Sequence, residues 1–213
     1  MILSVVSQKG GTGKTTVATN LASCFATMGQ EVLIVDADPQ HSALDWKADR
    51  PATLPNINAL HLPEKNLFQE IQNLQRKYEL IIIDGGGRIT ATARAAVAAA
   101  EFIIIPTLPS KLDILSTESF IQTVIHEVQA YKADVSGGIL LNQLQSGTAI
   151  GRVAIEYLET LGYPVFETKL HLYVAYREAA ATGMSVIEYD TQSKAAGEFA
   201  HFFKELLEVT HHA

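Results

Sequence analysis

The nine residues Gln8-Lys9-Gly10-Gly11-Thr12-Gly13-Lys14-Thr15-Thr16 bring together four kinds of group that suit one chemistry, the holding of a polyphosphate. Glycines let the main chain approach an anion closely, successive N–H groups and a helix N-terminus attract it, and a lysine neutralises it. In this spacing Gly10, Gly11, Thr12, Gly13 and Thr16 would line the phosphates, Lys14 would reach the β- and γ-phosphates, and Thr15 would bind Mg²⁺. The pattern departs from its strict form at two places. Gln8 stands where a glycine is usual, and Lys9 adds a second lysine. Glycine-rich turns between a strand and a helix also arise for packing alone. What separates the two readings is that Gly13-Lys14-Thr15-Thr16 falls where an apolar strand ends and a helical pattern begins.

A bound nucleotide–metal pair needs carboxylates close by, and two further segments supply them. Val35-Asp36-Ala37-Asp38-Pro39-Gln40 and Ile83-Asp84-Gly85-Gly86-Gly87 each follow an apolar run of strand length. Ligands of open parallel sheets bind outside the carboxyl ends of the strands, so Asp36, Asp38 and Asp84 are candidates to converge there. Asp84 would hold Mg²⁺ through water, and the glycines after it would leave room for a γ-phosphate. Any single acid after a strand can equally cap the next helix.

Positioning these groups requires an α/β architecture, and the hydrophobic pattern describes one. Runs at 2–6, 32–35, 80–83, 102–105 and 138–141 are continuously apolar, as strands buried on both faces must be. A weaker strand is expected over Ile57–Leu62 and another at Pro164–Phe166. Helical periodicity lies between them at Lys14–Met28, Leu67–Lys77, Ala91–Ala100, Asp113–Tyr131 and Thr148–Leu161, with a last helix over Thr191–Val209. This alternation predicts a three-layer fold, a mostly parallel sheet with helices on both faces. Residues Asp49–Asn56 are rich in turn formers and read as a surface loop. With 213 residues, 47% of them hydrophobic, and no low-complexity linker, residues 1–213 are expected to form a single domain.

Composition narrows the function classes. No apolar run reaches the length of a membrane span, and Met1–Ser7 lacks the features of a signal peptide. The lone Cys24 can make neither an internal disulfide nor a cysteine cluster, which fits a cytoplasmic protein. The formal net charge of −7 restricts any nucleic-acid contact to a local basic patch.

The pair Lys9–Thr16 and Val35–Gln40 closely resembles the deviant Walker A ATPases, the ParA/MinD group, and the chain looks most like short ParA-type partition ATPases that lack an N-terminal DNA-binding extension. Ile82–Gly87, Ile105-Pro106-Thr107-Leu108-Pro109-Ser110-Lys111-Leu112-Asp113 and Gly183-Met184-Ser185-Val186-Ile187-Glu188 extend the likeness along most of the chain. The resemblance implies the P-loop NTPase fold, ATP and Mg²⁺ as ligands, and hydrolysis of ATP to ADP and phosphate. It implies a homodimer enclosing two ATP molecules, with Lys9 of each subunit reaching the other's phosphates. Lys9 and Lys14 would stabilise developing charge, Asp38 would position the attacking water, and Asp36 would lie at the metal's water shell. Asn142, after the run at 138–141, is the candidate adenine contact, with Thr168–His171 able to close over the base. The alternative for Asn142 is a turn cap.

Two uses of such an ATPase follow from the resemblance. In the first, the ATP-bound dimer coats nucleoid DNA without sequence preference and is released when an adaptor or centromere-binding protein stimulates hydrolysis, segregating plasmid, chromosome or other cargo. Arg177, Lys169, Arg152 and Lys194 are then the DNA-contact candidates, Arg177 foremost. In the second, a MinD-like ATPase cycles on membrane. That use needs a basic amphipathic C-terminal helix, whereas Lys204 here stands among Glu198, Glu205 and Glu208, so the phenylalanines Phe199, Phe202 and Phe203 read as core.

Overall fold

Strands form where uninterrupted apolar, β-branched runs occur, because only burial on both faces accommodates them. The computed structural model describes residues 1–62, 66–147 and 149–211. Its strands β1 (Ile2–Val5), β2 (Val32–Asp36), β3 (Asn58–His61), β4 (Leu80–Asp84), β5 (Phe102–Thr107) and β6 (Ser136–Leu141) make one sheet in the order β3-β2-β4-β1-β5-β6. All five pairings are parallel. Every residue of β1, β2, β4 and β5 is buried, whereas the edge strand β3 is exposed at both ends, which is why its apolar signal is weak.

The register carries the functional consequence. Val5 and Asp36 both pair with Asp84 across their ladders. The carboxyl ends of β1, β2 and β4 are therefore level, and the glycine-rich loop leaves β1 directly beside the two acids.

Helices cover both faces. One face carries α3 (Leu67–Leu74), α4 (Ala91–Ala99), α5 (Lys111–Phe120), α6 (His126–Gln129) and α7 (Ala149–Glu159), contributing Ile71, Val97, Phe120, Val128 and Leu158 to its core. On the other, α1 (Lys14–Thr27), α2 (Ser42–Ala48), α8 (Ala175–Ala180), α9 (Val186–Tyr189) and α10 (Lys194–His211) pack through Leu21, Phe25, Trp46, Tyr176, Val186, Phe199 and Phe202. Phe199, Phe202 and Leu206 are fully buried and Phe203 meets Phe25 edge-on at 4.8 Å, so the apolar face of α10 belongs to the core. No described helix is long and apolar enough to cross a membrane.

Several expected elements shift for local reasons. The helix expected from Asp113 starts at Lys111, because Ser110 caps it by accepting the Asp113 N–H, and it reaches α6 through one π-helical stretch at Ile121–Ile125. The expected strand at Pro164–Phe166 is reduced to a single parallel bridge between Val165 and Ile139. Thr148, taken as a helix start, lies outside the described residues. Helices α2, α8 and α9 are too short to show a periodic stripe. A local signal did exist for α9, since Ser185 and Glu188 form a capping box.

Asp49–Asn56 form the expected surface loop, with the Arg50 side chain as its exception. That side chain turns inward and is almost wholly buried. Its guanidinium pairs with Glu188 on both terminal nitrogens, at 3.1 and 2.6 Å, and donates to the carbonyls of Pro55 and Gly183. Burial opposes ionisation of Glu188, yet hydrogen bonds from Arg50 and Ser185 outweigh it and hold the carboxyl below the ordinary glutamate range. The Gly183–Glu188 motif is thus an anchor for the loop after α2.

Candidate nucleotide site

The loop after β1 is held open by its own side chains. Ser7 donates to the Lys9 carbonyl at 3.0 Å and its Oγ lies 2.8 Å from Thr12 Oγ1. Lys14 Nζ donates to the Lys9 carbonyl at 2.9 Å, so its ammonium spans the concave side of the loop. Gly13 takes φ 91°, the left-handed region that favours glycine. A Cβ there would also stand 2.3 Å from Asn142 Nδ2. Opposite, a Cβ on Gly87 would come within 2.8 Å of Gly10 N, so the glycines after β4 are needed for the two loops to approach.

The acids divide by role. Asp84, wholly buried, accepts a 2.7 Å hydrogen bond from Thr15 Oγ1 on Oδ2, while its Oδ1 is buried without a partner among the described residues. Burial pushes its carboxyl up to about 7, the Thr15 bond works against that, and neighbouring Asp36 adds to it. Lys14 is pulled down by its own burial, with Asp84 and Asp38 holding its charge up. A buried, underpartnered carboxylate beside a threonine hydroxyl is a donor set for a hard divalent cation, so the residues present fit Mg²⁺.

Asp36 is committed differently. Its Oδ1 accepts from the Asp38 N–H at 3.0 Å, and its Oδ2 from Ala43 and Leu44 at 2.9 and 3.3 Å. These bonds hold the turn 37–42 and start α2. Within that turn Asp38 accepts from Gln40 N and faces a cavity of about 530 Å³ shared with Gly86, Gly87, Arg88 and Thr90. Arg88 was not singled out in the sequence, although a cation directly after Gly85–Gly87 is a signal that would have found it.

Lys9 does not join its own phosphate cradle. Its ammonium pairs with Asp113 at the start of α5, at 3.1 Å, with 38% of the side chain exposed.

Asn142 is placed beside the loop, with its amide already occupied. Nδ2 donates to the Thr12 carbonyl at 2.7 Å and Oδ1 accepts from the Gln143 N–H at 2.9 Å. It therefore braces the phosphate loop from β6 and also caps its own turn. On its open side lies a cavity of about 160 Å³ lined by Gly13, Thr16, His171, Tyr173, Tyr176 and Arg177 among others. Arg177 accordingly stands next to the phosphate loop. The other basic candidates sit on separate elements: Lys169 donates to Glu167 O, Arg152 is exposed on α7 and Lys194 is exposed at the start of α10.

Comparison with known proteins agrees with this geometry. Residues 3–186 match the family described as CobQ/CobB/MinD/ParA nucleotide binding domain. The chain is 33% identical over 192 residues to the maintenance of carboxysome distribution protein A of Gloeobacter kilaueensis, covering 88% of this chain and 84% of that one. It is 28% identical over 201 residues to the protein of the same name from Halothiobacillus neapolitanus, covering 92% and 91%. Among solved structures it is similar to the septum site-determining protein MinD complexed with Mg-ADP from Pyrococcus horikoshii, with a TM-score of 0.74, 24% identity, and 96% and 95% of the two chains covered. A phosphate loop rising from the central strand, a threonine–aspartate pair fit for a divalent ion and a family match over most of the sequence lead to one conclusion: the chain belongs to the CobQ/CobB/MinD/ParA nucleotide-binding family, as an ATPase of its ParA/MinD kind.

Proposed function

We propose that the protein is a ParA-type positioning ATPase that dimerises around ATP, binds DNA without sequence preference, and releases it when an adaptor stimulates hydrolysis. The observation that carries the reading is the placement of the two lysines. Lys14 occupies the cradle, while the Lys9 ammonium, five residues earlier on the same loop, points away from it to Asp113. A lysine that does not serve its own phosphates is available to a second subunit's.

In this reading Gly10–Thr16 bind the phosphates of ATP through main-chain N–H groups, and Lys14 neutralises them. Thr15 and Asp84 hold Mg²⁺, with Asp36 adjacent as a further, water-mediated ligand. The ion, when bound, neutralises phosphate charge and orients the chain of oxygens. Asp38, on a turn tied down by Asp36, orients the attacking water. Lys9 of the second subunit supplies the last positive charge, which makes turnover depend on dimerisation. The cavity bounded by Asn142, His171 and Tyr176 takes the base. Arg177, Lys169, Arg152 and Lys194 are the proposed DNA contacts, doubled in number by the dimer, and the protein is cytoplasmic and nucleoid-associated. Two of the relatives are named for carboxysome distribution, which supports a large protein assembly as one class of cargo.

Sedimentation with non-specific DNA and, separately, with anionic liposomes, each with ADP and with ATP, tests the reading. The expected result is retention on DNA with ATP only. Retention on liposomes in place of DNA would replace it with the membrane-cycling alternative, against which the burial of Phe199, Phe202 and Leu206 already argues.

A further inference from the structure

On the side of Asp36 away from β4, two histidines come together. His41 lies at the end of the Asp38 turn and His61 at the end of β3, with ring centroids 4.3 Å apart and planes at 83°. One ring nitrogen from each and a carboxylate oxygen of Asp36 all lie within 4.8 Å of one another. We propose that Asp36, His41 and His61 form a binding site for a transition-metal ion of the Zn²⁺, Co²⁺ or Ni²⁺ class, which shares only Asp36 with the magnesium site at Thr15 and Asp84.

Three details of the cluster point to a ligand. His61 Nδ1 lies 2.8 Å from the Asp36 carbonyl oxygen. A carbonyl can only accept, so Nδ1 carries the proton and Nε2 of the neutral ring presents a lone pair. Donation from the second ring nitrogen to a backbone carbonyl is how metal-bound histidines are commonly oriented. His41 Nδ1 is buried and has no hydrogen-bond partner among the described residues, a cost that an ion would remove. The His41 backbone is left-handed at φ 55°, where a non-glycine residue is uncommon, so the turn places an imidazole where glycine would be relaxed.

The carboxylate has room for an ion. It offers about four lone-pair positions, and its three main-chain bonds from Asp38, Ala43 and Leu44 leave one on Oδ1. Ligand bonds of about 2.0–2.2 Å set tetrahedral donor atoms roughly 3.4 Å apart, so separations within 4.8 Å close by at most about 1.4 Å on rotation of the two rings. Two imidazoles with one carboxylate leave the fourth position to water. Nitrogen donors select borderline ions over Mg²⁺ and Ca²⁺, which prefer oxygen. An ion here ties the turn carrying Asp38 to β3, since the His41 N–H already donates to the Asp38 carbonyl at 3.1 Å.

The test is titration of the full chain with Co²⁺, followed by visible absorption, in excess Mg²⁺ and ADP so that the phosphate site is filled. One Co²⁺ per chain, with a tetrahedral d–d spectrum displaced by Zn²⁺, is expected. His61→Asn keeps a donor for the Asp36 carbonyl but lacks the Nε2 ligand, and His41→Gly relaxes the left-handed turn. Each should weaken binding at least tenfold with the thermal unfolding temperature not lowered and ADP affinity unchanged. Absence of saturable Co²⁺ binding, or equal affinity in wild type and both variants, would overturn the site. Neither result bears on the partition reading, which does not rest on these histidines.

Discussion

Asp84→Asn separates what the nucleotide site costs from what it does. In the ligand-free protein burial lifts the Asp84 carboxyl from 3.8 to about 7. At about 1.4 kcal/mol per pH unit, keeping that group ionised in the fold costs on the order of 4 kcal/mol above neutrality. The sign follows from linkage. The unfolded chain releases this proton near pH 4 and the folded one near 7, so between these values the native state binds more protons. The stability contribution is fully present below about pH 4 and is lost as pH rises through about 7. Asparagine carries no charge and can still accept from Thr15 Oγ1, so the variant lacks this loss.

Urea unfolding without nucleotide, in EDTA, at about pH 5.5 and about pH 8 measures it. Wild type should lose roughly 2 kcal/mol more than Asp84→Asn across that interval, and the variant should be the more stable protein at the higher pH. Calorimetry on the same variant should show loss of magnesium-dependent nucleotide binding. Parallel pH profiles for the two proteins would refute the argument that Asp84 is a strained carboxylate waiting for a cation.

Gly13→Ala forces a left-handed alanine at a cost of about 1–2 kcal/mol and pushes Asn142 off the Thr12 carbonyl, so ATP affinity measured by calorimetry should fall more than tenfold. Glu188→Ala leaves the Arg50 guanidinium buried without its carboxylate and should lower unfolding free energy by about 3–5 kcal/mol; a denaturation midpoint within error of wild type would remove the anchor role. Asp38→Ala should bind ATP and dimerise normally while phosphate release stops, and release at the wild-type rate would take Asp38 out of the mechanism. Lys9→Ala should keep ATP bound yet fail to dimerise, so an unchanged ATP-dependent mass by light scattering counts against the cross-subunit lysine.

Much of this protein was open to reading in one dimension because its central features are local. A run such as Ile81-Ile82-Ile83 has to be covered on both faces whatever surrounds it, and Gly10–Thr16 can cradle phosphate wherever a strand meets a helix. The parallel sheet, the phosphate loop and the edge at which Asp36, Asp38 and Asp84 gather follow from such segments. What the linear order did not contain was the direction in which side chains turn once distant segments pack. Arg50 lies among turn formers and reads as solvent-facing, yet Glu188, Gly183 and Pro55 converge to hold its charge inside. Asn142 reads as a base contact or a turn cap, and the sheet order sets it against the Thr12 carbonyl. His41 and His61 are twenty residues apart and carry no motif spacing. Only the parallel pairing of β2 with β3 brings them to the same carboxylate. Sequence decided which groups could do the chemistry, because backbone periodicity and loop composition act over a few residues. Tertiary structure decided which of them meet, because hydrogen bonds and ion pairs act over a few ångströms and ignore separation along the chain.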